Sequence, residues 1–203
     1  PPLTDAETDG LISNLLGGGQ LADDARARIA EAAEGNPLFV GETLRMLVDD
    51  GLLERSNGSW VVKDDLSSLR IPPTIHALLT ARLDRLEAEE RAVIERASVI
   101  GRVFWWGAVA ALSPEEQRPL VGSHLQALTR KQLILPDRST LGEEDAFRFA
   151  HILAVDAAYG GIPKAARTEL HERFAAWIER KTQDGVGERE EIVGFHLERA
   201  HTT

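Results

Sequence analysis

Apolar residues recur three and four positions apart along most of this 203-residue chain, and glycines interrupt the pattern at short intervals. That spacing puts them on one face of a helix, so the cores must come from short amphipathic helices and not from a large sheet. A first helix opens at Thr4-Asp5, carries Leu11, Ile12, Leu15 and Leu16 on one face, and stops at Gly17-Gly18-Gly19. Asp23 opens a second, with Ala25, Ile29, Ala32 and Ala33 inward, ending at Gly35. Pro37 stands where the first turn of a helix tolerates proline, and Phe39, Leu44, Leu47 and Val48 form a third stripe that ends at Gly51.

The period changes in two places. Leu52-Leu53 and Trp60-Val61-Val62 flank Asn57-Gly58, the residue pair of a tight hairpin turn. After a polar linker, Pro72-Pro73 opens a helix with Leu78, Leu79, Leu83 and Leu86, and a domain boundary is expected near Leu69 to Pro72. Glu89 to Ile100 presents Val93, Ala97 and Ile100, and Phe104 to Leu112 reads as a short aromatic-rich helix. Ser113-Pro114-Glu115-Glu116 has the marks of a helix start: a cap, a proline in first position, and two acids at the positive end of the dipole. That helix would carry Leu120, Leu125 and Leu128 and finish at Arg130-Lys131. Leu133-Ile134-Leu135 and a strand with Phe147 and Phe149 on one face then read as the second change of period, a two-stranded wing. Leu170, Phe174, Trp177 and Ile178 form a last seam, and another helix begins at Ile192 to Ala200. The expected class is mainly α: a helical domain with a small hairpin over 1–70, a winged-helix domain over 71–162, and C-terminal helices over 163–203.

Composition narrows the chemistry. The absence of cysteine excludes disulfides, thiolate zinc sites and cysteine catalysis, and fits a cytoplasmic chain. A net charge of −10 disfavours DNA phosphate as the main partner. No apolar run approaches the ~20 residues of a membrane span, so no membrane partner is expected. The chain opens on Pro1-Pro2-Leu3, with no sign of a signal peptide, and its only methionine is Met46, so we expect a piece of a longer protein. It holds no Gly-Lys pair, hence no phosphate loop of the Walker kind, and no metalloprotease, nucleophile-elbow or dinucleotide motif. Neither catalytic residues nor a metal site are expected. His171-Glu172 and His196-Leu197-Glu198 lie on charged amphipathic segments and read as surface or interface histidines.

Two local features stand out. Gly35-Asn36-Pro37-Leu38-Phe39 reads plainly as a helix stop followed by a helix start; the proline is also a rigid apolar plate that could press on a flat ring such as adenine. In Phe149-Ala150-His151 a strand runs into a helix, and the positive end of that helix attracts phosphate oxygens. A histidine there could equally serve backbone groups.

Gly35-Asn36-Pro37-Leu38-Phe39-Val40 with Glu42 resembles the GNPLF-x-x-E signature of STAND-type ATPases, the AAA-related switch modules fused to bacterial adenylate cyclase domains or to LuxR-type regulators. The likeness continues through Ile71-Pro72-Pro73-Thr74-Ile75, Leu79 to Leu86, Val99-Ile100-Gly101-Arg102 and Phe104. Phe147-Arg148-Phe149-Ala150-His151, Asp156-Ala157-Ala158-Tyr159, Arg167, Leu170 to Ala175 and Trp177 extend it over nearly the whole chain. Ala150 and Ile152 stand where Met and Asp flank the histidine in the related motif, and Val155 stands where an arginine is common.

The resemblance implies a non-catalytic lid and winged helix that relay the ADP or ATP state of an upstream nucleotide-binding domain and lead into downstream helical repeats truncated here. It implies a nucleotide only together with that upstream domain, with Asn36, Pro37 and His151 as the cofactor-binding residues, Pro37 against the adenine and His151 at the β-phosphate, and is compatible with a homo-oligomer. The rival readings are a DNA-binding winged helix with Glu115 to Lys131 as recognition helix, and a protein-interaction scaffold that docks through Phe104-Trp105-Trp106. For those aromatics, core packing under the wing is the alternative.

Overall fold

A computed structural model describes residues 1–18, 21–56, 59–62, 71–139, 141 and 144–181. The expected Asn57-Gly58 turn, most of the polar linker and the helix from Ile192 lie outside the described residues. The protein is mainly α, with nine α-helices and two small antiparallel sheets among the described residues. No described helix is long and apolar enough to cross a membrane. The chain divides into two compact units, Pro1–Arg82 and Leu83–Thr203.

The first unit begins with α1 (Asp5–Leu15), α2 (Asp23–Ala33) and α3 (Pro37–Asp49). Thr4 and Glu7 form a reciprocal capping box at the start of α1, as their spacing dictates. Positive φ at Gly17 and Gly18 ends that helix. Ile12, Leu16, Ala25, Ile29, Phe39, Val40, Leu44 and Leu47 are buried in one core. Leu11 and Ala32 are partly buried against that core, whereas Leu15 and Val48 are 46% and 41% exposed, so the apolar faces of α1 and α3 are narrower than their sequences imply.

β1 (Leu53–Ser56) pairs antiparallel with β2 (Ser59–Val62), placing Leu53 opposite Val62 and Arg55 opposite Trp60. The Trp60 indole donates 2.8 Å to the Leu16 carbonyl, which serves one of the orphan acceptors at the end of α1. α4 (Ile75–Asp84) starts on Thr74, whose hydroxyl accepts from the Ala77 amide at 3.1 Å. Leu78 belongs to the first core, and Ile71 and Ile75 pack against it. That packing carries the first unit beyond the linker and through most of α4.

The second unit contains α5 (Ala88–Ile100), β3 (Val103–Trp105), α6 (Trp106–Leu112), a 3-10 helix (Glu115–Leu120), α7 (Val121–Arg130), β4 (Ile134–Asp137), β5 (Ala146–Phe149), α8 (Ile152–Gly161) and α9 (Lys164–Lys181). Two expectations are corrected. Phe104 begins no helix: residues 103–105 form a strand on β5, with Phe104 opposite Phe147, in a sheet ordered β3-β5-β4. The cause is a partner more than forty residues away, with the Phe104 ring 6.0 Å from Phe147 and 5.5 Å from Phe149.

Nor does Ser113-Pro114 open one long α-helix. The Ser113 hydroxyl donates back to the Val109 carbonyl at the end of α6, and Pro119 confines the next turn to 3-10 geometry before α7 can start. A proline inside a helix removes one hydrogen bond and clashes with the preceding turn. α9 is part of this unit's core through Phe174 and Trp177, whose rings stack 6.0 Å apart, and through Trp177 on Trp105 at 6.3 Å.

Candidate functional site

The start of α3 is built by local chemistry. Gly35 has φ +73°, and a Cβ there would lie 2.5 Å from the Leu3 carbonyl oxygen. Leu3 donates its amide to the Gly35 carbonyl at 2.8 Å, so the chain's first residues lie directly on this glycine. Asn36 is the N-cap: its Oδ1 accepts from the amides of Leu38 at 3.0 Å and Phe39 at 3.3 Å. Pro37 follows as the first helical residue, where its missing N–H costs nothing, and its ring is exposed. Asn36 thus spends its side-chain oxygen on the helix end, and Pro37 presents an apolar plate to solvent.

In the second turn of α3, Glu42 is buried and paired with Arg82 of α4. Its other oxygen takes Arg45, and Arg82 also reaches Asp49 at 3.4 Å. Both charges of the Glu42–Arg82 pair are desolvated, and the two residues are forty positions apart. The GNPLF-x-x-E resemblance includes Glu42, but the signature by itself does not say that the acid is buried or which residue it pairs with. Its signal is its register: it shares α3 with the buried Phe39, Val40 and Thr43.

His151 caps α8. Its backbone is extended at φ −141° and ψ 144°, and Nδ1 accepts from the Leu153 amide at 3.1 Å. An accepting ring nitrogen carries no proton, so the neutral ring holds its hydrogen on Nε2. The preceding Ala150 amide donates 3.0 Å to the Leu133 carbonyl, which ties the strand end to the α7–β4 junction. The ring is half-buried. His151 therefore serves backbone groups with one nitrogen and keeps a donor on the other. Pro37 belongs to the first unit and His151 to the second.

His171, read from the sequence as a surface or interface histidine, is not on the surface. It is buried, with Nε2 2.9 Å from the Tyr159 hydroxyl. Arg167 lies 4.6 Å from the centre of the Tyr159 ring and donates to the Ile162 and Gly160 carbonyls at the end of α8. Burial needs both α8 and α9 in place, which the periodicity of α9 alone cannot report. Phe104 and Trp105 are likewise buried, so core packing accounts for them, while Trp106 is 41% exposed. His196 lies outside the described residues.

Residues 4–60 match a family described as Domain of unknown function (DUF8739). The match runs from the Thr4 cap into β2 and includes Asn36, Pro37 and Glu42, but not Arg82 or His151. No curated protein matches the chain.

Proposed function

We propose that this chain is a non-catalytic regulatory segment of a nucleotide-dependent signalling ATPase of the STAND type, acting in the cytoplasm. On this reading the first unit is the lid and the second the winged helix, followed by the start of helical repeats. The alternation of α5, β3, α6, α7, β4 and β5, with β5 between β3 and β4, supports the winged-helix assignment. The observation that carries the proposal is the His151 ring. It stands at a helix N-terminus, where anions are favoured, with Nδ1 occupied by the cap and Nε2–H left to donate.

In the parent chain, ADP would be held by an upstream nucleotide-binding domain, with Pro37 against the adenine and His151 on a phosphate. Exchange for ATP would lengthen the His151 contact and change the state of the second unit. A ligand can move such an equilibrium only by its differential affinity for the two states, and the His151 bond supplies that difference. The isolated chain would hydrolyse neither ATP nor GTP, because it has no loop to hold a metal-bound triphosphate. Turnover that survives further purification would refute that point.

Duplex DNA is the weaker alternative. The would-be recognition helix is split by Pro119, and Lys131 is paired with Glu90. Arg118 lies on the 3-10 turn and Arg130 at the end of α7, so the basic residues span two elements. Sub-micromolar, sequence-dependent DNA binding at physiological salt would restore it.

The decisive experiment replaces His151 in the parent chain with serine, which can cap the helix but cannot reach as an imidazole does. We expect melting close to wild type, ADP release faster by about ten-fold or more, and raised resting output. A folded His151→Ser protein that releases ADP at the wild-type rate would assign the histidine to capping alone.

A further inference from the structure

Three guanidinium groups of the second unit, carried by three different elements, meet at one residue. Ser113 follows α6 and is fully buried. Arg96, on α5, has Nη1 3.4 Å from the Ser113 Oγ. Arg118, on the 3-10 helix, has Nε 3.4 Å from the Ser113 carbonyl oxygen. Arg173, on α9, has Nη2 3.3 Å from that same carbonyl oxygen and 2.8 Å from the Ala111 carbonyl.

Carbonyls at the end of a helix attract one such cation readily, but two carbonyls and one hydroxyl cannot balance three. The chain carries a net −10, yet among the described residues Glu169 alone forms an ion pair with any of these three arginines. Among the described residues no carboxylate forms an ion pair with Arg96 or Arg118. Glu95, beside Arg96, is taken by Arg91 at 2.9 Å. Arg173 reaches only the exposed Glu169, at 3.5 Å. Burial pushes the Arg96 guanidinium below its ordinary range, the like charge of Arg173 pushes further, and Glu95 opposes. Each guanidinium has five N–H donors, so most donors at this point lack a protein acceptor, and Arg118 leaves the cluster open to solvent.

We propose that Arg96, Arg118 and Arg173 form a binding site for a small phosphate-type oxyanion at the end of α6. A tetrahedral oxyanion presents several acceptor oxygens and can bridge guanidiniums on different elements, which favours it over a single carboxylate. Bound there, it would join α5, the 3-10 turn and α9 and stabilise the folded unit by mass action. The site is independent of the nucleotide reading, which concerns the start of α8.

The test adds orthophosphate or pyrophosphate to the 203-residue chain at constant ionic strength, with sodium chloride as the reference, and follows melting temperature and binding heat. Wild type should be stabilised by either oxyanion beyond chloride. Arg118→Gln changes an exposed side chain outside the core and should weaken oxyanion affinity about ten-fold, one charge-assisted contact. Arg96→Gln, checked by circular dichroism, should do the same. An Arg118→Gln chain that responds to pyrophosphate like wild type would overturn the proposal. So would equal stabilisation of wild type by chloride.

Discussion

The two helix starts that carry the candidate residues use the same device with different consequences. Asn36 caps α3 through Oδ1, and His151 caps α8 through Nδ1. At α3 the functional candidate is the next residue, Pro37, so capping and presentation are divided between two side chains. At α8 both tasks fall on one ring, whose second nitrogen remains a donor. A proline plate has no polar atom with which to distinguish one phosphate from another, whereas an imidazole N–H does. The start of α3 is also held by further locks, Gly35 against Leu3 and Glu42 on Arg82. The two starts therefore differ in how much stability depends on them.

The largest break should come from the buried pair. Arg82→Met leaves Glu42 desolvated with only Arg45, and should cost about 3 kcal/mol, the low end for breaking a buried ion pair because Arg45 remains. Denaturant melts should show the loss in the first unit. Replacing Glu42 and Arg82 together by apolar residues should recover most of it.

Gly35→Ala comes next. Left-handed backbone at a non-glycine costs about 1–3 kcal/mol, and the Leu3 carbonyl in the way adds to it. Amide exchange in the first turn of α3 should accelerate in step with the melting shift.

Asn36→Ala should cost about 1 kcal/mol in the first unit, and His151→Ala no more than about that in the second. Similar losses at the two caps, with ADP retention in the proposed parent protein sensitive only to His151, would sharpen the division between capping and presentation. Equal sensitivity of ADP retention to both would erase it.

The smallest effect concerns a third start, at α1. The Thr4 backbone amide, then the Thr4 hydroxyl, hold the exposed Glu7 carboxyl below its ordinary value of 4.5. Its folded-state value is depressed, so its stabilisation is present above the unfolded value and is lost as pH falls through the folded one. The Thr4 amide resonance should titrate with a midpoint below 4.5, and Glu7→Gln should abolish that titration.

What could be read from the sequence alone was what short-range chemistry controls. Helix starts at Thr4 and Pro37, the glycine stops and the two changes of period depend on groups within about four residues of one another. The place of Asn36, Pro37 and His151 at element junctions was legible for the same reason, as was the burial of most stripe residues. Pro119 is a local helix breaker inside the segment expected to run as one helix from Ser113-Pro114. The tertiary structure decided everything that needs a distant partner. Phe104 became strand because β5 offered hydrogen bonds and two phenylalanine rings. His171 went inside because Tyr159 was there to meet it. Glu42 could be buried only once Arg82 arrived from forty residues away, and three arginines met at Ser113 only when α5, the 3-10 turn and α9 were assembled. Desolvation is the common physical reason. Whether a charged or polar side chain can leave water depends on the partners waiting inside, and a periodic pattern does not specify those partners.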